Sequence, residues 1–356
     1  MNIENHKNIP TVKPEKYFLK IYGCQYNEWD GARIDYLLQK VGLIPSSEKD
    51  ADVVFLLSCS VRKSAVDRVM GLVKNNADKK VVVTGCILDN DKKKYKKKNV
   101  TLWDINKPED LKDVLLGCHP ERIEESGNFE KILAEGSVTS AYLPVILGCN
   151  NFCSYCAVPY TRGREQSRNF DEVVSDFKKM ITKGHKEIML LGQNVNSYKH
   201  DFVKLLKTLN DIPGDFAIRF TSNHPKDMSD GIIAAVKKLP KVKKEMHLPL
   251  QSGSNNILKA MNRPYIIENY IKLVEKIKNE IPDIKLTTDI IVGFPGETEE
   301  YFQETVEVLK KIDFEAAYVN KYSPRSGTAA FKLGDPIPWE EKQRRWRILN
   351  DIANKK

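Results

Sequence analysis

YLPVILGCNNFCSYCAVPYTRGR, residues 142–164, begins as an apolar strand and turns directly into a loop carrying Cys149, Cys153 and Cys156. The spacing is Cys-x3-Cys-x2-Cys, three thiols within residues 149–156. A structural zinc site wants four ligands, often as two Cys-x2-Cys pairs. No second pair of that spacing occurs in the chain. Either a distant cysteine completes the site, or the site is meant to keep three. Three thiolates suit a four-iron cluster that leaves one iron open to a substrate or cofactor, since iron–sulfur clusters are commonly held by cysteine.

Outward from this loop the chain alternates strand and helix. After YLPVILG (142–148), strands are predicted at KEIMLL (186–191), FAIRF (216–220), EMHL (245–248), KLTTDIIV (285–292) and EAAYV (315–319). Amphipathic helical stretches separate them, such as FDEVVSDFKKMI (170–181) and TEEYFQETVEVLKKI (298–312). Six βα repeats fall short of the eight that close a barrel. A partly open barrel is therefore expected, with its site at the carboxyl ends of the strands. Gln193, Asn194, Ser222, Gln251, Gly293, Asn320 and Tyr322 lie just beyond those ends.

The first part of the chain shows a second α/β pattern. KYFLKIYG (16–23), DVVFLLS (52–58) and KVVVTG (80–85) read as strands. Helices with Ile34, Leu37, Leu38 and Val41, and with Ala65, Val69, Leu72 and Val73, fall between them. This order implies a doubly wound parallel sheet. The expected units are a polar leader (1–13), this sheet domain (14–135), a partial barrel (136–338) and a connecting helix (339–356). Each of the three strands ends in a cysteine: Cys24, Cys59 and Cys86. Ligands of parallel sheets bind at the carboxyl ends of strands. Three cysteines at equivalent ends point to a shared metal site, against the alternative of three unrelated buried thiols.

The chain has 356 residues, of which 41% are hydrophobic and 29% charged, and seven are cysteines. No apolar run reaches the roughly 18 residues of a membrane span, and the N-terminus lacks the apolar core of a secretory signal. A reducing cytoplasm is expected, where cysteines serve as metal ligands or free thiols rather than disulfides. Cys118, in LGCHPE, reads as a bystander. The net charge of +9 is compatible with a polyanionic partner. Part of it lies in DKKKYKKKNV (91–100), either a solvated segment or a patch that contacts phosphates without reading sequence.

Cys-x3-Cys-x-aromatic-Cys, with Tyr155 before Cys156, resembles the signature of radical S-adenosylmethionine (SAM) enzymes. The resemblance extends along the chain to one branch, the methylthiotransferases of the type that modifies tRNA. It rests on GCQYN (23–27), LLSCSVRKSA (56–65), VVVTGC (81–86), GCNNFCSYCAVPYTRGRE (148–165), LLGQNVNSY (190–198), RFTSNHP (219–225), HLPLQSGS (247–254), TDIIVGFPGET (288–298) and YSPRSGTAA (322–330). GCQ-x-N, CSVR and SPRSGT set it apart from the ribosomal-protein and threonylcarbamoyladenosine branches.

The resemblance implies two [4Fe-4S] clusters. Cys149, Cys153 and Cys156 would hold the one whose open iron chelates SAM, and Cys24, Cys59 and Cys86 would hold an auxiliary one. It implies reductive SAM cleavage to a 5′-deoxyadenosyl radical, hydrogen removal at C2 of N6-isopentenyladenosine beside the anticodon, insertion of cluster-borne sulfur, and methylation by a second SAM. Tyr155, Gln193, Ser222 and Gln251 would contact SAM, and GFPGET (293–298) resembles a SAM-contacting segment. Arg62, Arg162, Arg164 and Arg168 flank the cysteine loops and would hold RNA phosphates. Expected partners are a tRNA anticodon stem-loop, an electron donor such as flavodoxin or ferredoxin, and a sulfur or cluster carrier, with no membrane; a monomer is expected.

Two departures from the family stand out. Residue 26 is Tyr, where Met is usual, and EWDGAR (28–33) lacks the usual Asp-Ser-Glu, so substrate preference is expected to differ in detail. Members also continue past the helix at 339–356 into a small β-barrel RNA-binding (TRAM) domain, so this chain is expected to be truncated or to lack that domain. The alternatives are methylthiolation of another target, a threonylcarbamoyladenosine tRNA or a ribosomal protein, and a non-catalytic RNA-binding module stabilised by zinc.

Overall fold

The computed structural model describes residues 15–115 and 140–354. The expected boundary between the sheet domain and the barrel near residue 135, the leader and Cys118 lie outside the described residues.

The first unit runs β1 (Lys16–Ile21), α1 (Gln25–Lys40), β2 (Ile44–Pro45), β3 (Val53–Cys59), α2 (Lys63–Asn75), β4 (Lys80–Cys86), α3 (Asp89–Lys94), β5 (Val100–Leu102) and α4 (Leu111–Leu115). Its sheet is parallel with strand order β2-β1-β3-β4-β5. Every residue of β3 is buried, as a central strand covered on both faces must be. The alternation of its side chains divides the core. Val53, Phe55 and Leu57 pack with Ile34, Leu37 and Leu38 of α1, while Val54 and Leu56 pack with Val66, Val69 and Val73 of α2. The sheet order reverses between β1 and β3. At such a switch point the connections leave in opposite directions and open a crevice at the carboxyl ends.

The second unit contains β6 (Ser140–Pro144), β7 (Ile146–Leu147), α5 (Val158–Thr161), β8 (Gln166–Ser167), α6 (Phe170–Thr182), β9 (Glu187–Leu191), α7 (Phe202–Asn210), β10 (Ala217–Phe220) and α8 (Asp230–Lys238). It continues with β11 (Glu245–His247), α9 (Asn255–Ala260), α10 (Ile267–Glu280), β12 (Lys285–Val292), α11 (Glu299–Lys311), β13 (Ala316–Lys321) and α12 (Trp339–Ala353). Strands β6, β9 and β10 form one parallel sheet and β11, β12 and β13 another. A single parallel bridge, Ile218 to Val242, joins the two. The six predicted strands thus lie in chain order along an open arc. The arc differs from a continuous partial barrel in being nearly split in two at that bridge. The apolar stretch at 142–148 is broken after Pro144, and its last part, β7, pairs antiparallel with β8. This hairpin starts and ends the cysteine loop.

The two units touch directly. Helix α1 packs on β6, and Tyr142 Oη donates to Glu28 at 2.8 Å. Among the described residues no helix is long and apolar enough to cross a membrane.

Candidate metal and cofactor site

The loop from Cys149 to Cys156 is shaped by backbone strain. Gly148 has φ +75°, and a Cβ there would stand 2.3 Å from the Arg164 carbonyl oxygen, so only glycine lets the two arms of the β7–β8 hairpin close. Phe152, immediately before Cys153, is held at φ 47°. Such backbones persist only where their surroundings impose them, and they gather at functional sites. The imposing groups come from the turn after α9. Ser154 donates from its backbone to Met261 O at 2.9 Å and from its hydroxyl to Ala260 O at 2.8 Å, and Asn262 donates to Phe152 O at 3.0 Å. Arg263 follows, buried, and donates to Cys153 Sγ at 3.3 Å and to Pro249 O at 3.0 Å.

Of the thiols so gathered, Cys149 is buried and Cys153 and Cys156 are half-buried. Burial pushes Cys156 up to about 12 and also raises Cys149, with the neighbouring Cys153 adding to both shifts. Thiols in this state give up protons when a cation binds them.

The other trio is brought together by the switch point. Cys24 is the N-cap of α1, and Cys59 and Cys86 are register partners at the ends of β3 and β4. Asn27, one turn into α1, is their hub. Its Oδ1 accepts from Cys24 Sγ at 3.5 Å and Cys86 Sγ at 3.8 Å, while its Nδ2 donates to Ser58 O at 3.3 Å. A helix N-terminus favours a thiolate, yet desolvation prevails and raises Cys24. The neighbouring Cys86 lowers Cys59, while Cys59 and burial raise Cys86, so the two thiols hold their protons unequally. Gly85 lets β4 approach closely before Cys86: its φ is +102°, and a Cβ would stand 2.5 Å from Ser58 O.

The donor sets fit clusters better than single ions. Each is three thiols, with no fourth cysteine beside them among the described residues. Among the described residues no three His, Cys, Asp or Glu side chains are gathered as one metal ion requires. Four irons at the corners of a cube hold their thiolates farther apart than the ligands of one ion.

The expected SAM contacts ring the open ends of the strands. Gln193 follows β9 and its Oε1 is buried without a partner. Ser222, past β10, is held at φ 62°, and its carbonyl takes the Val195 N–H at 3.2 Å. Gln251 is buried at φ 71°, with its backbone laddered to Asp289 and Ile291. Two left-handed non-glycine residues among the four candidates mark an imposed geometry. Tyr155 packs into an apolar cluster with Ile257, Met261, Phe294 and Tyr322, which anchors the loop to the barrel.

The sequence reading gave no role to further polar groups here, although it placed Asn194 past a strand end. Asn194 Oδ1, Asn223 Oδ1 and His224 Nε2 are also buried without partners. His224 Nδ1 accepts the Lys226 N–H at 3.2 Å, so its unpaired Nε2 carries the proton; burial first, then Arg263, holds its pKa down to about 2. Unpaired buried polar atoms are costly and call for a ligand. Asn194 and the SNHP run carried a signal through their position past strand ends; Arg263, 110 residues from Cys153 in sequence, carried none.

Two of the four arginines expected on phosphates are engaged elsewhere. Arg162 is buried, ion-paired to Asp30 at 2.8 Å and stacked over Tyr26 at 4.1 Å. Arg168 pairs with Asp176 at 2.7 Å and donates to Pro144 O at 3.2 Å. Arg62 and Arg164 remain exposed. In the lysine run at 91–100, Tyr95 is buried and bonds Ser58 Oγ at 2.9 Å, while Lys92 and Lys94 pair with Asp89 and Asp91. Lys93, Lys96, Lys97 and Lys98 stay exposed.

In GFPGET, the Glu297 carboxylate accepts the Gly293 N–H at 2.6 Å and the Arg345 guanidinium at 2.7 Å. Lys342 of the same terminal helix, buried, donates to Tyr322 O at 3.1 Å and pairs with Asp335. Helix α12 thus fixes the loop that follows β12.

Residues 143–309 match the radical SAM superfamily, and residues 16–104 match the uncharacterized protein family UPF0004. The chain is 40% identical to the tRNA-2-methylthio-N(6)-dimethylallyladenosine synthase of Thermoanaerobacter pseudethanolicus, over 95% of this chain and 78% of the relative. Enzymes of the same name from Acetivibrio thermocellus and Clostridium tetani are 39% and 38% identical, over 98% and 99% of this chain and 78% and 84% of theirs. Among solved structures, the cobalamin-dependent radical SAM enzyme OxsB superposes with a TM-score of 0.58 at 11% identity, covering 95% of this chain and 56% of that one. The radical SAM methyltransferase TsrM from Kitasatospora setae gives 0.58 at 11% identity, covering 90% and 77%. At that identity the two structures speak for the fold alone.

Proposed function

The chain belongs to the radical SAM family of tRNA-2-methylthio-N(6)-dimethylallyladenosine synthases, and from that premise we propose that it places a methylthio group on C2 of N6-dimethylallyladenosine in tRNA, beside the anticodon. One observation in the structure carries the reading. Two separate trios of thiols, one in each unit, gather at the ends of β1, β3 and β4 and in the loop of the β7–β8 hairpin past β6, and among the described residues neither has a fourth cysteine.

Cys149, Cys153 and Cys156 hold the cluster that binds SAM, and Cys24, Cys59 and Cys86 hold the auxiliary one. When bound, the clusters and SAM supply the radical chemistry, the sulfur and the methyl group; the protein supplies position and dryness. Arg263 donates to Cys153 and sets the direction of that sulfur. Gln193, Ser222 and Gln251 face SAM, with Asn223 and the neutral His224 offering an acceptor and a donor beside them. Tyr155 seals the loop against the apolar cluster. A loop base of RNA is splayed into such a pocket at modest cost, because it is not held in a duplex. Arg62 and Arg164 are the exposed cations beside the loops that meet the phosphates.

An electron donor, a sulfur or cluster carrier and a cytoplasmic location belong to the same reading. Mass spectrometry of nucleosides from isopentenylated tRNA treated with the reconstituted protein tests it. A methylthio product on that adenosine is the expected result; the same product on a protein substrate or on a different adenosine would overturn the assignment.

A further inference from the structure

Arg162 stands six residues past Cys156 and is part of the barrel's cysteine loop, yet its guanidinium lies in the other unit. It caps the short α5, donating its backbone N–H to Val158 O at 2.8 Å, and extends into α1. There its Nη2 reaches Asp30 Oδ2 at 2.8 Å and Asn27 Oδ1 at 3.5 Å. The side chain is 6% exposed and that of Asp30 3%. Asn27 Oδ1 is the same oxygen that receives Cys24 and Cys86. As thiols, those two cysteines donate to it. As thiolates they cannot, and the oxygen then faces two negative sulfurs. A cation at that oxygen is what the deprotonated trio needs, and the barrel supplies it.

We infer that Arg162 is a positioning residue of the barrel that sets the charge environment of the N-terminal trio, with Asp30 as its counterweight and Asn27 as the link. The inference rests on the reading of that trio as a cluster site. Its consequence is that the auxiliary cluster acquires its working environment only when the two units are docked. Arg325 also crosses, donating to Val61 O at 3.3 Å, but it meets the backbone and not the hub.

The test uses the full chain with Cys149, Cys153 and Cys156 changed to Ala and reconstituted with iron and sulfide, so that only the N-terminal trio loads. The midpoint potential is followed by electron paramagnetic resonance, and iron loss to a chelator by absorbance. Arg162→Met is expected to shift the potential negative and to speed iron loss several-fold. Arg162→Lys, which keeps the charge, should stay nearer the parent. Asp30→Asn, which leaves the guanidinium uncompensated, should shift it positive. In the companion chain with Cys24, Cys59 and Cys86 changed to Ala, Arg162→Met should leave the barrel cluster's potential where it was. Equal shifts at both clusters, or shifts of the same sign for Arg162→Met and Asp30→Asn, overturn the inference. So does an unmoved potential in an iron-loaded variant. If Arg162→Met does not fold, Asp30→Asn decides alone: a positive shift supports the inference and no shift overturns it. A parent that takes up no iron refutes the ligand reading itself, a distinct failure.

Discussion

Arg263 donates to Cys153 Sγ at 3.3 Å from a side chain that is buried and otherwise spent on Pro249 O and Tyr265. A charge-assisted bond to a thiolate is worth about 1.5–3 kcal/mol. Arg263→Met should therefore lower the barrel cluster's potential and slow SAM cleavage, with the auxiliary cluster untouched. Potentiometry of each cluster, beside 5′-deoxyadenosine release, checks this; an unchanged barrel potential would make the contact purely structural.

Gly148→Ala tests the loop's backbone. The positive φ and the 2.3 Å approach to Arg164 O leave no room for a methyl group. Strain of about 1–3 kcal/mol is expected, concentrated on the loop. Iron at the barrel trio should fall while the N-terminal trio loads normally. Gly163→Ala, where nothing stands within 4 Å, keeps the φ penalty without the clash and should be milder.

Glu297 and Arg345 make a buried pair, 1% and 6% exposed, that fixes the loop after β12. Removing one partner strands the other, at a cost of about 3–5 kcal/mol. Glu297→Leu should lower the urea midpoint strongly, and Arg345→Met added to it should recover part of the loss. Additive losses would contradict the pairing.

His224 is held neutral, its pKa depressed from 6.5 to about 2. The unfolded chain therefore binds a proton below pH 6.5 that the folded chain refuses. Stability from this group is intact above pH 6.5 and is lost as pH falls toward 2, at about 1.4 kcal/mol per pH unit. Urea unfolding of the parent and of His224→Asn at pH 7.5, 6.5 and 5.5 should show the variant losing less on acidification. Parallel curves would mean that His224 titrates normally.

Arg62 and Arg164 should each contribute one phosphate contact, so Arg62→Ala and Arg164→Ala should each weaken tRNA binding and reduce the salt slope by about one. Arg168→Ala should leave the slope alone, because that guanidinium is taken by Asp176. Filter binding across a potassium chloride series distinguishes them.

The elements were legible where burial and periodicity agree. Strand β12 was predicted over 285–292 and forms there, alternating out and in along its length. The cysteines at 24, 59 and 86 were grouped from strand ends alone, because a parallel sheet brings those ends to one edge. The arginines were less legible. TRGR reads as a basic surface run, and nothing local says that Arg162 pairs with Asp30, 132 residues earlier. The same contact gives Tyr26 a role that the departure from Met left open: its buried ring lies under the Arg162 guanidinium. A contact at that separation is a property of domain docking, which local pattern does not encode.

The central claim is that each trio holds its own four-iron cluster. Anaerobic reconstitution followed by iron, sulfide and zinc analysis tests it most directly. The account predicts about eight irons per chain, about four after replacing Cys149, Cys153 and Cys156 by Ala, with no 5′-deoxyadenosine formed. It predicts about four after replacing Cys24, Cys59 and Cys86, with SAM cleavage retained and sulfur insertion lost. Stoichiometric zinc without iron, or SAM cleavage surviving the first replacement, would contradict it.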